Sequence, residues 1–325
     1  MNAKLFIVKL GRRIYRSLFN TKRDFAQDYR YVQLYDQDAN DFVLRQLSHT
    51  QSFLIAKMGT IELDALMQYD SYVHRNYSIE QMCDLISYQY PLCYDAKFNL
   101  NMLCSNAGFF PNDNTLLGKF YDEYTHSLAE VDIIGTYNYT EKYLFPYFPK
   151  AQRVNIYGYL YPFMYKDPWT KYLKNKKVLV VHPFQREIEE QYKKRKLVWG
   201  DKADDVLPDF KLITYKPIQS MLGLQTEYQT WFDALAKMKH EISQFDFDVA
   251  IIGCGAYGLP LAAYCKCLGK QAIHLAGSTQ ILFGIIGKRW AEKPAFRQYF
   301  NEYWIRPYSE SIPSNYKKIE EGCYW

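Results

Sequence analysis

The sequence predicts an α/β fold built on a mainly parallel, doubly wound sheet, and three observations carry that prediction. Short apolar runs of strand length alternate with helix-like patterns between residues 52 and 275, the ordering that yields parallel strands with crossover helices. Gly253, Gly255 and Gly258 form a G-x-G-x-x-G between the apolar run Val249–Ile252 and an apolar helical pattern. In that context the glycines permit a tight strand-to-helix turn, and the helix directs its positive end at an anion. With 325 residues, 48% hydrophobic and 23% charged, the chain can bury a core on both faces of such a sheet.

Residues 1–30 read as a basic amphipathic helix and a connection. On a helical wheel Phe6, Ile7, Leu10, Ile14 and Leu18 share one face, and Lys9, Arg12, Arg13 and Arg16 the other. Such a helix either lies in the headgroup region of an anionic membrane or docks on the protein's own body with solvated arginines. The apolar run 5–8 is too short for a signal-peptide core, and no stretch of about eighteen apolar residues could span a bilayer.

Residues 31–325 read as a single α/β domain in two halves with a seam near 150. Residues 23–46 supply a Tyr-rich helix and connection. A buried strand follows at 52–56, then a turn through Gly59 to a helix carrying Leu63, Leu66 and Met67. Residues 80–104 are expected to be helical, 106–111 a loop, 116–128 a helix and 131–134 a strand. In the second half, strands are expected at 154–157, 177–181, 210–214, 249–252 and 272–275. Helices fall after Phe184, where Glu189/Lys193 and Glu190/Lys194 have i, i+4 spacing, and at 226–245 and 259–268. The aromatic tail after Lys293 is expected to wrap the body as a helix and an extended segment.

A net charge of +5 suits an anionic small substrate or an anionic membrane surface and is too diffuse for nucleic acid. Seven cysteines without framework spacing read as reduced cytosolic thiols. Cys265 and Cys267 fall on different helix faces, which argues against zinc there. His49, His74, His126 and His240 lack metal-ligand spacing.

Ligands of open parallel sheets bind beyond the carboxyl ends of the strands. Those ends are expected to carry Gly59 with Glu62, Asp132 with Gly135, His182 with Phe184, the glycine turn, and His274 with Gly277. Glu62, near the first turn of a helix, could be a general base or a metal ligand, or merely complement the helix dipole. His182 and His274 could each touch phosphate or serve only the structure, and His182 could also act as acid or base. Lys288 and Arg289 offer two cations that could stabilise a diphosphate leaving group without a metal; the alternative is a solvated basic pair. Asn106 and Asp132 are candidates by location. The strand expected at 272–275 carries His274 near its end and lacks the acid that would grip an adenosine ribose, which turns the glycine loop away from NAD.

At these residues the chain resembles bacterial glycosyltransferases of the GT-D fold type and related proteins of capsule and O-antigen loci. The likeness rests on Ile55-Ala-Lys-Met-Gly-Thr-Ile-Glu-Leu63, Asn106-Ala-Gly-Phe-Phe-Pro111 and Val178-Leu-Val-Val-His-Pro-Phe184. It rests most on the run from Ile251 to Gly284 and on Gly287-Lys-Arg-Trp290. The resemblance implies a Rossmann-like, GT-D-like enzyme of polysaccharide biosynthesis. It would move a sugar from a nucleotide-diphosphate donor to a cell-surface glycan or lipid-linked acceptor, in the cytoplasm or at the inner face of the membrane. Glu62 and His182 are then the catalytic candidates. Gly59, Asn106, Gly253, Gly255, Gly258, His274, Gly277, Lys288 and Arg289 are the donor-binding candidates. Family members carry an Asp-x-Glu motif associated with Mg²⁺ or Mn²⁺; Glu62 takes the Glu position, but Thr60 stands at the Asp position. A threonine hydroxyl substitutes poorly for a carboxylate at such a metal, which shifts the counter-charge toward Lys288 and Arg289. The competing readings are an NAD- or S-adenosylmethionine-dependent enzyme, and a non-catalytic partner that binds nucleotide-sugar or glycan.

Overall fold

The computed structural model describes residues 3–19, 29–93 and 97–325. The first half runs α1 (Ala3–Leu18), α2 (Asp36–His49), β1 (Phe53–Lys57), α3 (Thr60–Val73), α4 (Ile79–Ile86), α5 (Asn101–Ala107), α6 (Leu117–Ala129), β2 (Ile133–Thr136) and β3 (Gln152–Asn155). After α7 (Tyr157–Leu160) come β4 (Lys177–Val181), α8 (Gln185–Lys193), α9 (Arg195–Trp199), α10 (Ala203–Val206), β5 (Lys211–Tyr215) and α11 (Trp231–Ile242). The chain closes with β6 (Val249–Ile252), α12 (Gly258–Cys267), β7 (Gln271–His274), α13 (Ser278–Leu282), α14 (Lys288–Ala291) and α15 (Pro294–Arg297), joined and followed by short 3₁₀ turns.

The seven strands among the described residues form one all-parallel sheet in the order β3-β2-β1-β7-β6-β4-β5. In the centre Ile273 stands opposite both Ile55 and Ile251. The chain winds from β1 outward through β2 to β3, crosses to β4 and β5, and returns inward through β6 to β7. The order therefore reverses beside β1, and a crevice opens where neighbouring connections leave toward opposite faces.

Alternation along the strands divides the core in two. Leu54, Ala56, Leu179, Val181, Ala250 and Ile252 pack against α3, α6, α11 and α12. Phe53, Ile55, Val178, Val180, Val249 and Ile251 pack against α2 and α8 to α10. With helices on both faces neither side of the central strands meets water, so they read as unbroken apolar runs. Together the layers define a Rossmann-like α/β fold.

Several expected elements moved. The helical stretch 80–104 is broken: α4 stops at Ile86, residues 87–93 are not helical, and α5 begins at Asn101. Tyr88 has a positive φ of 64°, and Pro91 can neither donate in a helix nor let Tyr90 take helical angles easily. Asn106 belongs to the last turn of α5, which Gly108 ends at φ 83°. The helix expected from 226 begins at Trp231, because Thr230 and Asp233 close a reciprocal capping box. β2 and β3 pair in register across position 150, so one sheet carries both halves. Among the described residues no helix is long and apolar enough to cross a membrane.

Candidate active site

A cleft of about 700 Å³ opens at the carboxyl edge of the sheet, within the size range of small-molecule sites. Its lining includes Gly59, Glu62, Asn106, His182, Gly253, Gly255, His274, Gly277 and Arg289. Residues spread over more than two hundred positions thus converge because parallel strands deliver all their carboxyl ends to one edge. Asp132 does not join them. It precedes β2, at the opposite edge, where it accepts a hydrogen bond from Leu54 N–H at 2.8 Å and pairs with Lys266 at 2.9 Å.

Glu62 sits at the third position of α3, whose N-cap is Gly59. Its carboxylate folds back over the cap, and any side chain on Gly59 would overlap it. The φ of Gly59, −72°, suits any residue, so a side chain there would act by displacing the Glu62 carboxylate and not by straining the backbone. Beside it, the Tyr137 hydroxyl donates to the Met58 carbonyl at 3.1 Å and receives the Thr60 hydroxyl at 3.0 Å. Thr60 thus already has a partner, and one carboxylate with one engaged hydroxyl is a weak donor set for a hard divalent cation. Among the described residues no group of three His, Cys, Asp or Glu side chains is arranged to hold a metal. The residues present do not fit the Mg²⁺ or Mn²⁺ that the resemblance implies.

His182 follows β4 and is buried. The Phe184 N–H donates to its Nδ1 at 3.1 Å, which leaves the proton of the neutral ring on Nε2. Burial pushes its pKa down to about 3, so the ring can donate to a ligand without carrying charge. His274 ends β7, with its ring buried beside the backbone of Lys57, which hydrogen-bonds it. Burial, helped by the positive charge of Lys57, lowers its pKa to about 3 as well. A buried imidazole at the wall of a cleft still offers its second ring nitrogen to a ligand.

The glycine turn is occupied in a way the motif alone did not reveal. The space beside Gly253 is taken by the Ala276 carbonyl, Thr279 and His182, and that beside Gly258 by His274. Gly258 does not line the cleft; Gly255, at φ 58°, is exposed there. Gly253 and Gly258 therefore serve close packing between β6, α12 and β7, while Gly253 and Gly255 border the cleft. Cys254, between them, is buried, and burial pushes its thiol far up, so it is no nucleophile.

Lys288 and Arg289 part company. Arg289 lines the cleft, with its guanidinium 4.8 Å from the Tyr324 ring centroid and an N–H directed to Cys323 Sγ at 3.1 Å. Lys288 is exposed and lines a neighbouring groove with Arg306 and Lys317. The segment 323–325 separates them: Lys288 N–H bonds the Trp325 carbonyl at 3.2 Å, and Arg289 N–H the Cys323 carbonyl at 3.0 Å. Tyr324 also packs on Gly277 and, through its carbonyl, on Gln280 Nε2 at 3.0 Å.

Sequence reasoning missed Lys57, Tyr124, Tyr137, Tyr324 and Trp325, all of which line the cleft. Lys57 was findable as the last residue of a buried strand; the aromatics had no local signal in a chain with 31 tyrosines.

The arrangement defines a class, a Rossmann-like α/β protein with a polar and aromatic cleft at its carboxyl edge. No protein-family model matches the chain, and neither a curated protein nor a solved structure does.

Proposed function

We propose that the protein is a glycosyltransferase, of the GT-D-like kind, that moves a sugar from a nucleotide-diphosphate donor to a glycan or lipid-linked acceptor of the bacterial cell surface. The observation that carries this reading is the presence of one buried carboxylate, Glu62, and one guanidinium, Arg289, in the lining of a single cleft that also holds two neutral histidines. In the proposed reaction an acceptor hydroxyl gives its proton to Glu62 while its oxygen bonds to the anomeric carbon. The bond from that carbon to the diphosphate oxygen breaks, and its electron pair leaves with the diphosphate. Arg289 offsets that charge, and His182 Nε2–H and the exposed edge of the glycine turn donate to its oxygens. Asn106 and His274 are read as donor-binding residues, and no step is routed through Mg²⁺ or Mn²⁺.

None of the seven cysteines, all among the described residues, forms a disulfide, which fits a reducing compartment. We therefore set the reaction in the cytoplasm, where capsule and O-antigen precursors would be assembled. The reading is tested by calorimetric titration with UDP- and GDP-sugars against NAD and S-adenosylmethionine. Binding of a nucleotide-sugar with slow release of free sugar supports it. Selective binding of NAD or S-adenosylmethionine would replace it with a different Rossmann-like enzyme. Nucleotide-sugar binding with no turnover under any acceptor would indicate a non-catalytic binding partner.

A further inference from the structure

Docking and membrane contact, alternatives for the N-terminal helix on sequence grounds, use different arcs of the same helix. α1 packs on α4 through Leu5 and Val8, both buried, and Gly11 lies against Ile86. Polar contacts pin the same side: Lys4 Nζ donates to the Tyr77 carbonyl at 2.8 Å, and Arg12 donates to the Leu85 carbonyl at 2.6 Å and lies 3.8 Å over the Tyr88 ring. At 100° per residue these positions occupy one arc of about 120°. The amphipathic face noted in the sequence is not the docked one. Phe6, Ile7, Leu10 and Ile14 are each about half exposed, and Leu18 is 69% exposed. Lys9, Arg13 and Arg16 fall, by the same spacing, on the narrow arc between docked and apolar sides.

We propose that this outward arc of α1 is a seat for an anionic lipid surface, held in place by the docking of the helix's other side. The helix would lie in the plane of the interface with its apolar arc among the acyl chains and its basic arc against acidic headgroups. Two features favour lipid over a protein partner: five large apolar side chains on one arc of a helix already held on its opposite side, and two exposed cations, Arg13 and Arg16, along its border. The basic border complements a negative surface, at about fivefold in partitioning per residue near it. Because α1 is fixed to α4, membrane contact would orient the whole protein and not merely tether it. The inference stands apart from the proposed chemistry and could hold for any ligand of the cleft.

The test is co-sedimentation of the full chain with vesicles of phosphatidylcholine alone and with about a third phosphatidylglycerol, at low and high salt. Wild-type protein should sediment with the anionic vesicles, and high salt should weaken the binding. Ile7→Ser/Ile14→Ser should reduce partitioning at least tenfold, and Arg13→Glu/Arg16→Glu should abolish the preference for anionic vesicles. Both variants alter exposed positions and should keep the wild-type melting temperature. Equal partitioning of wild type and Ile7→Ser/Ile14→Ser, or no sedimentation with either vesicle, would overturn the proposal. So would a self-association in light scattering that the serine variant abolishes while vesicle binding is absent, which would make the arc a contact between copies of the chain.

Discussion

The imidazole of His274 occupies the space that a side chain on Gly258 would need, nearer than any real Cβ contact would allow. A residue expected to touch donor phosphate instead makes room for a buried histidine on the neighbouring strand. The glycine motif and the histidine are parts of one packing arrangement, and the cleft inherits its shape from it.

Gly258→Ala should therefore act on stability before it acts on binding. The added methyl group would force His274 or α12 to shift, at a cost of about 1–3 kcal/mol. Chemical denaturation should show that loss, and Gly253→Ala should show one at least as large because its obstacle includes the Ala276 backbone carbonyl.

Glu62→Gln keeps the shape of the side chain over Gly59 and removes its basicity. If Glu62 is the base, donor binding by calorimetry should be retained while sugar transfer falls about 10²- to 10⁴-fold. Equal losses in binding and turnover would assign it to holding the cap of α3 alone.

Arg289 and Lys288 should separate cleanly. Arg289→Ala is expected to weaken nucleotide-diphosphate binding about tenfold to a hundredfold, the value of a charge-assisted hydrogen bond. Lys288→Ala, in the neighbouring groove, should change it by no more than about twofold. A larger effect of Lys288 would mean that the diphosphate binds on the other side of the 323–325 segment.

Glu141 gives a pH signature. It is buried beyond β2, where it accepts hydrogen bonds from the Thr136 hydroxyl and from Tyr137 N–H at 3.1 Å. Burial pushes its pKa from 4.5 up to about 7, against those hydrogen bonds. Between these values the folded chain holds a proton that the unfolded chain releases, so the contribution of Glu141 is fully present below pH 4.5 and lost as pH rises through 7. Glu141→Gln should consequently gain on wild type in melting temperature between pH 5 and pH 8. The buried histidines work the other way. They are neutral when folded and charged when unfolded between about 3 and 6.5, so they lower stability as pH falls. Comparing variant with wild type at each pH removes their share.

Much of the sheet was legible because parallel strands covered on both faces must be apolar throughout, and such runs need no tertiary knowledge to find. The break after α4 has a local signal in Pro91, which competes with the longer helical pattern around it. Convergence of Glu62, His182, the glycine turn and His274 followed from a topological rule that places strand ends together. What did not follow was the occupancy of space within a few ångströms. Nothing near Gly258 or Gly59 in the sequence says that an imidazole or a carboxylate fills the missing side chain's volume.

By itself the sequence determined the class of fold, the edge of the sheet where chemistry would gather, and the amphipathic character of residues 3–18, because periodicity and strand order are local or topological properties. Tertiary structure alone decided which side of α1 is buried, which of two adjacent cations enters the cleft, and which glycines border it. Those outcomes depend on contacts between segments far apart in the chain, such as α1 with α4 and residues 323–325 with α14, and no local pattern encodes them.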